Sequence, residues 1–409
     1  MSAVDDERLW TPARQLRLTA WGAALGLVIG AAVAGFLRSL DWANRTRLDQ
    51  PWLLWALPVG GALVVWFQTR HAADTLGGTL RVMRQIRRHR AGVPFAMAPM
   101  VWAGSVVTHL LGGSAGREGA ALQISAGITG GAIGGRRTTP ADRSLLQIVA
   151  LAAGFGSAFG VPLAGIIFAL EVAPQSYRNR FGALPAAGAA ALTAHWGRAL
   201  VGVHAEPLPT LVGIGLREVA MAAVIAPLFG VLAWAFLRTT ERFRGVLTAR
   251  VANPVMRPVL GGVAIVALTL IVGNQEFNGG SAELLTRALA GGDVGHFDWL
   301  LKLVFTAVTV GSGFLGGEVL PLSVMGATAG GALAAAVDAP APLFAAVGLT
   351  ATVGAALNAP LACAAMGAEF FGSAALVPLL AGCLIARVCS SRHSLYSGDH
   401  AVPAEAQDV

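Results

Sequence analysis

Charge is scarce in this 409-residue chain: 12% of its residues are Asp, Glu, Lys or Arg, against 55% hydrophobic ones. Soluble domains carry about a quarter charged residues. The mean hydropathy of +0.65 leaves more apolar surface than one water-soluble core could hide. A disordered chain and an ordinary cytosolic enzyme are excluded. Cysteine is nearly absent as well. Cys363, Cys383 and Cys389 lie in or beside apolar stretches, with neither metal spacing nor the density of a disulfide scaffold. Neither a metal nor a cofactor is expected. Lysine is reduced to one residue, Lys302, among 29 basic side chains. The N-terminal MSAVDDERLW is acidic and polar, unlike a secretory signal. Insertion would start at a later apolar span.

The net charge of +7 comes from arginines placed between apolar runs, as in Arg81, Arg84, Arg87, Arg88 and Arg90, or Arg136, Arg137 and Arg143. This is the pattern of juxtamembrane loops facing anionic headgroups. A nucleic-acid binder would gather such residues on one soluble face. A lipid bilayer is the expected partner, and nucleic acid is not.

Continuous apolar spans run through 16–40, 51–68, 212–237 and 254–273, each long enough to cross a hydrocarbon core of about 30 Å as a helix. The regions 93–135, 144–172, 181–201, 298–335, 342–372 and 375–388 are also apolar, but most are interrupted by Gly and Pro and several hold acidic residues. Broken helices persist in a bilayer only where protein or a water-lined cavity satisfies the freed backbone groups. Trp21, Trp42, Trp52, Trp66 and Trp299 lie near span ends, as interfacial anchors do. The more polar stretch 274–297 reads as an external loop, and the polar tail from 390 leaves the membrane. The expected fold is an all-α polytopic membrane protein with broken helices.

An internal repeat organises the chain. At an offset of 200, Gly113, Gly116, Glu118, Leu122, Gly130, Gly131 and Ala132 coincide with Gly313, Gly316, Glu318, Leu322, Gly330, Gly331 and Ala332. At an offset of 198, Gly156, Pro162, Leu163, Ala164 and Glu171 coincide with Gly354, Pro360, Leu361, Ala362 and Glu369. Two collinear blocks, each pairing a glutamate with a glutamate, indicate duplication. An odd number of spans between the copies would make the repeat inverted, as in transporters whose site lies at the repeat interface. The expected organisation is an arm at 1–15, repeats at 16–202 and 212–390 joined by a linker at 203–211, and a tail at 391–409.

The chemistry concentrates at 112–119, Gly-Gly-Ser-Ala-Gly-Arg-Glu-Gly, a glycine-rich turn leading into an apolar helix. The first amides of a helix lack internal partners and carry the positive end of its dipole, and glycines let an anion approach them. The second copy, 311–326, has the same form, with its helix starting at about Val319. Two N-termini from opposite halves could therefore converge on one anion. Glu118 sits on the first of them. A carboxylate there can occupy the anion's place and leave it when protonated, acting as gate and proton carrier. The alternative for Glu118 is an exposed capping residue, but a glutamate in an apolar setting is a functional candidate. Gly112–Gly116 also matches Gly-x-Ser-x-Gly. An intramembrane serine protease would use Ser114 with His109 or His195. That pattern is weak in a chain with 52 glycines.

Gly116-Arg-Glu-Gly119, with Gly313-Phe-Leu-Gly-Gly-Glu-Val-Leu-Pro321, resembles the CLC family of anion channels and proton-coupled antiporters over roughly 16–398. The second motif departs from the Gly-Gly-x-Phe-x-Pro form of chloride transporters. Glu318 follows Gly317, and Val319 stands in place of Phe, as in the bacterial fluoride-exporting branch. The resemblance implies a homodimer in the cell inner membrane that exports fluoride in exchange for protons, with a chloride-type antiporter or channel as the alternative. It implies Glu118 as gate, Glu318 as a proton relay, and an anion held near Gly116, Arg117, Gly119, Gly317, Val319 and Leu320, with the hydroxyl of Tyr396 below. The inner proton-transfer glutamate of chloride antiporters falls on Val172. A structural role is expected for Glu171 and Glu369, and the alternative for Glu318 is a structural carboxylate paired with an arginine. The first selectivity loop corresponds to Gly77-Gly78-Thr79, which matches neither the chloride nor the fluoride form. Leu320 replaces the threonine usual beside the second glutamate.

Overall fold

A computed structural model describes residues 11–88, 93–134, 139–173, 180–204, 208–390 and 394–395. Among these, sixteen α-helices account for the regular structure. The first eight are α1 (Pro12–Asp49), α2 (Leu57–His71), α3 (Gly78–Arg88), α4 (Met97–Leu110), α5 (Glu118–Gly134), α6 (Pro140–Phe159), α7 (Pro162–Val172) and α8 (Leu184–Leu200). The second eight are α9 (Leu216–Arg250), α10 (Met256–Val272), α11 (Ala282–Leu289), α12 (Asp298–Gly311), α13 (Val319–Val337), α14 (Ala341–Leu357), α15 (Pro360–Phe371) and α16 (Leu376–Cys389). The first set opens with helices of 38, 15, 11 and 14 residues and the second with 35, 17, 8 and 14, the same succession of lengths.

Pro12–Asp49, Pro51–His71, Leu216–Arg250 and Val319–Val337 are each long and apolar enough to cross a membrane. Large apolar side chains such as Leu200, Leu216, Ile271 and Val388 point outward and are exposed. Such a surface suits lipid and not water. The chain is a multi-pass membrane protein.

Between lipid-facing helices the hydrophobic effect supplies little drive, so close backbone approach supplies it instead. Gly22, Gly26 and Gly30 of α1 recur at four-residue spacing and face Ala186, Ala190 and Ala194 of α8. A Cβ on Gly30 would lie 2.1 Å from the Ala194 carbonyl oxygen.

The interrupted regions break where the sequence places Gly, Asn and Pro. The break between α6 and α7 has Gly160 in the left-handed region (φ 80) and Pro162 at the next helix start. Between α14 and α15, Asn358 (φ 57) and Pro360 do the same. These residues satisfy both sides of a break, an αL residue ending one helix and a proline starting the next.

Each of these two breaks is closed by the other repeat. Glu171, at the end of α7, accepts hydrogen bonds from the amides of Leu361 (3.1 Å) and Ala362 (2.8 Å) at the start of α15. Glu369, at the end of α15, accepts from Leu163 (3.1 Å) and Ala164 (2.7 Å) at the start of α7. The reciprocity relates α7 to α15 by a two-fold operation. Gly116 and Gly317 form an antiparallel bridge, so equivalent segments run in opposite directions, as an inverted repeat requires.

Two expectations change. The repeat register around the first glutamate is 201, not 200: α5 opens at Glu118 and α13 at Val319. Arg117 therefore corresponds to Glu318, and Glu118 to Val319. Identity matching chose the wrong register because glycine recurs on both sides of the turn, whereas the helix start is set by backbone geometry. The stretch 274–297 is not a plain external loop. It contains α11, and Phe277, Asn278 and Leu284 are buried. Asn274 and Asp293 are exposed, but Asn278 faces inward and donates to the Gly112 carbonyl (2.7 Å).

Replacing Glu369 by alanine removes two charge-assisted hydrogen bonds and leaves two helix-terminal amides unpaired. The expected cost is about 1–3 kcal/mol, read as a lower melting temperature of the purified protein in detergent. An unchanged melting curve would show that the reciprocal caps do not hold the halves together.

Candidate functional site

The two glycine-rich turns meet between the repeats. The first follows α4, where Gly112 takes φ +88, and the second follows α12, where Gly313 takes φ +98. The Gly116 amide donates to the Gly317 carbonyl (2.6 Å) and the Gly317 amide to the Gly116 carbonyl (2.7 Å). This pair pins the start of α5 against the start of α13. Both helices aim their N-terminal amides at one small volume, where their dipoles add.

Glu118 is the first residue of α5 and is 1% exposed. Its Oε2 accepts a hydrogen bond from the Leu320 amide of α13 (3.0 Å). The carboxylate thus lies on the N-terminus of the other repeat. The Arg117 amide reaches Oε2 at 3.3 Å, and Arg117 Nε reaches Oε1 at 3.4 Å. A partly exposed arginine and one cross-repeat amide are the groups that hold it.

Gly119 follows Glu118 and lies tight against the opposite turn. A Cβ there would lie 3.2 Å from Gly317 Cα, 3.8 Å from Thr79 Oγ1 and 3.9 Å from the Glu318 amide nitrogen. Seen from the other side, a Cβ on Gly317 would lie 2.8 Å from the Gly119 amide nitrogen. The Gly119 and Glu318 amides and the Thr79 hydroxyl therefore lie around one point between the repeats, the candidate seat. Thr79 reaches it because Gly77 (φ +96) and Gly78 (φ +52) turn the chain into α3. A third helix start thus joins the other two.

Glu318 is half-buried at the N-cap of α13, and Arg244 of α9 is the charge that acts on it. Its side chain does not take the position of Glu118, as the corrected register requires. Val319 and Leu320 are buried, so their contribution to the seat is through the backbone. Val172 ends α7 beside the capping Glu171. Tyr396 lies outside the described residues, as do the tail from 396 and the start of the N-terminal arm.

Gln123, which no motif in the sequence marks, meets the Thr79 hydroxyl. It is 6% exposed, one turn along α5 from Gly119. Its Nε2 donates to Thr79 Oγ1 (3.1 Å) and to the Gly119 carbonyl (3.2 Å). The hydroxyl of Thr79 accepts from Gln123, so its own proton can point into the seat. A polar amide inside the apolar run Gly-Ala-Ala-Leu-Gln-Ile was the available signal.

The protease arrangement does not form. His109 Nδ1 donates to the Ser105 carbonyl (2.8 Å), and His195 is exposed on α8. Ser114 is fully buried and engaged by Thr306 Oγ1 (2.9 Å) and Lys302 Nζ (2.9 Å). Among the described residues, no group of three or more His, Cys, Asp or Glu side chains is placed to hold a metal.

A family model described as voltage gated chloride channel matches residues 60–391. The chain is 34% identical over 385 residues to a chloride/fluoride channel protein of Pseudomonas syringae pv. tomato, covering 91% of this chain and 84% of that one. It is 26% identical over 404 residues to the H(+)/Cl(-) exchange transporter ClcA of Salmonella arizonae, covering 90% and 84%. A solved structure of a CLC-type fluoride/proton antiporter superposes with a TM-score of 0.87 at 30% identity, covering 95% of this chain and 98% of that one.

The close approach of the two turns gives a direct test of the seat. Gly119→Ala would place a methyl group against Gly317. It is expected to lower halide flux in proteoliposomes roughly tenfold or more while the folded protein still purifies. Flux equal to that of the parent would remove this volume from the ion path.

Proposed function

The chain belongs to the voltage gated chloride channel (CLC) family, and we propose that it exports fluoride across the cell inner membrane in exchange for entering protons. The observation that carries this reading is the Glu118 carboxylate resting on the Leu320 amide of the opposite repeat. That position is where an anion is favoured by helix-terminal amides. A carboxylate and a halide cannot both fill it, because two negative charges about 4 Å apart repel by about 4 kcal/mol in a partly polar interior.

In the proposed cycle, fluoride enters the seat when Glu118 is protonated and swings away. It rests on the vacated Leu320 amide, with the amides of Gly119 and Glu318 and the Thr79 hydroxyl beside it. Fluoride is small and needs concentrated donors, and the narrow gap between Gly119 and Gly317 suits it better than chloride. Arg117 draws the anion and pairs with Glu118 on its return. Glu118 then releases its proton and reoccupies the Leu320 amide. Glu318 relays the proton on the other side, where Val172 has no titratable group. Tyr396 supplies a further hydroxyl to the anion. The repeats 16–202 and 212–390 together enclose one pathway, and two copies of the chain associate as a homodimer.

The decisive experiment is fluoride efflux from proteoliposomes with simultaneous pH recording. Fluoride leaving as protons enter is the expected result. Chloride movement with no fluoride movement would overturn the fluoride assignment in favour of a chloride-type transporter.

Glu118→Gln is expected to abolish proton movement in this assay, because the amide cannot carry the proton. Undiminished proton movement would remove Glu118 from the proton path. Glu318→Ala is expected to slow exchange by about tenfold or more, and parent-like turnover would remove Glu318 from the relay.

A further inference from the structure

Lys302, the one lysine of the chain, is fully buried in α12. Four oxygens lie within hydrogen-bond distance of its Nζ and share its three N–H bonds: Gly279 O (2.8 Å), Ser281 Oγ (2.8 Å), Ser114 Oγ (2.9 Å) and Phe277 O (3.2 Å). All four partners are neutral oxygens. Burying an ammonium group without a carboxylate partner is costly, and packing alone would be met by leucine or methionine. A second buried cation lies against the same turn. Arg47 donates from Nη1 to Gln275 Oε1 (2.6 Å), and its Cδ is 3.4 Å from the Cβ position of Gly112.

The oxygens gathered by Lys302 belong to the two segments that border the seat. Ser114 lies two residues before Gly116, whose backbone is paired with Gly317. Gly279–Ser281 lies against the other wall: a Cβ on Gly280 would be 2.8 Å from Leu320 Cδ2. The Leu320 amide is the group that holds Glu118. The Gly279 amide also donates to the Gly113 carbonyl (3.1 Å), tying these segments directly. One buried amino group thus joins the segments that flank the candidate seat from both repeats.

We propose that Lys302 is a positioning residue of the anion pathway, whose buried charge clamps Ser114 and the 277–281 segment around the seat and supplies a fixed positive potential to the halide held there. The proposal rests on the reading of this seat as the transport site. It accounts for a lysine where the rest of the basic set is arginine. A compact ammonium group fits among four converging oxygens, and a planar guanidinium does not.

Two variants of the full-length protein in proteoliposomes test it. Lys302→Met removes the charge at similar volume. Ser281→Asp keeps the lysine but sets a carboxylate beside it. Ser281 has φ 55, a left-handed conformation in which Asp is well tolerated. Flux is measured against sodium fluoride and sodium chloride, and the halide moved by the parent is the probe. Each variant is expected to raise the half-saturating halide concentration about tenfold, with maximal turnover held within about threefold. If Lys302→Met does not fold, Ser281→Asp decides alone. Parent-like half-saturation in Ser281→Asp, or in a folded Lys302→Met, would overturn the proposal. So would a loss of turnover at unchanged half-saturation, the signature of a purely structural lysine. A parent that moves chloride and no fluoride would overturn the fluoride assignment and leave this test standing.

Discussion

A helix that starts inside a membrane has unpaired amides, and the bilayer offers no water to satisfy them. Much of this structure follows from that constraint. Three of its internal helix starts take a carboxylate from elsewhere in the chain. The start of α15 takes Glu171, the start of α7 takes Glu369, and the start of α13 takes Glu118. The first two are gripped by two amides each, at 2.7–3.1 Å. Glu118 is held by one amide of the opposite repeat, at 3.0 Å. Pro321, the next residue along α13, has no amide proton to offer. The same chemistry therefore gives two caps that each take two amides of the opposite repeat, and one that takes a single such amide and leans on its own neighbour Arg117. A carboxylate tied to the opposite repeat by one amide can leave it by breaking one hydrogen bond across the repeats.

Much of the site was legible in the sequence because its residue types are unusual in a bilayer. Glu118, the glycine-rich turns and the Gly/Pro interruptions all stand out against apolar surroundings, and the structure brings Gly116–Gly119, Gly317–Leu320 and Thr79 together. The register of the repeat was not legible. Glycine recurs at Gly112, Gly113, Gly116 and Gly119, and at Gly311, Gly313, Gly316 and Gly317, so an offset of 200 aligns glycines as readily as 201. The backbone bridge between Gly116 and Gly317 decides it. Glu318 is therefore not a second copy of Glu118 but the counterpart of Arg117. The buried roles of Gln123 and of the 277–281 segment were hidden for a different reason. Polarity alone marks a residue as able to bond, and the partner across the fold appears only with coordinates.

The abundance of glycine has a packing cause beyond the turns. The seat requires α5 and α13 to meet end to end, and that geometry depends on the helices around them staying close. At Gly326 and Gly348 the backbones of α13 and α14 approach so closely that a Cβ on either would lie 2.0–2.1 Å from the other's carbonyl oxygen. At Gly130 of α5, a Cβ would lie 1.7 Å from the Val93 carbonyl oxygen. Each of these helices is thus gripped by close backbone contact with a neighbouring segment. Rigidity there has an electrostatic consequence. Amides that need not reorganise around an ion stabilise it more than mobile dipoles of equal size.

A narrow seat bounded by rigid donors would also limit how the proposed exchange proceeds. The Arg117 guanidinium contacts Glu118 at 3.4 Å and is partly exposed. It favours the ionised carboxylate only while that carboxylate stays in place. Removing Glu118 from the seat without protonation would move a charge away from Arg117 and from the Leu320 amide into apolar surroundings, at a cost of several kcal/mol. Protonation removes that cost, and arrival of a halide fills the vacated donors. Neither event alone balances both the amides and the carboxylate. In the proposed cycle this double requirement links the two ions, since the seat accepts one negative charge and the side chain that yields it must leave neutral.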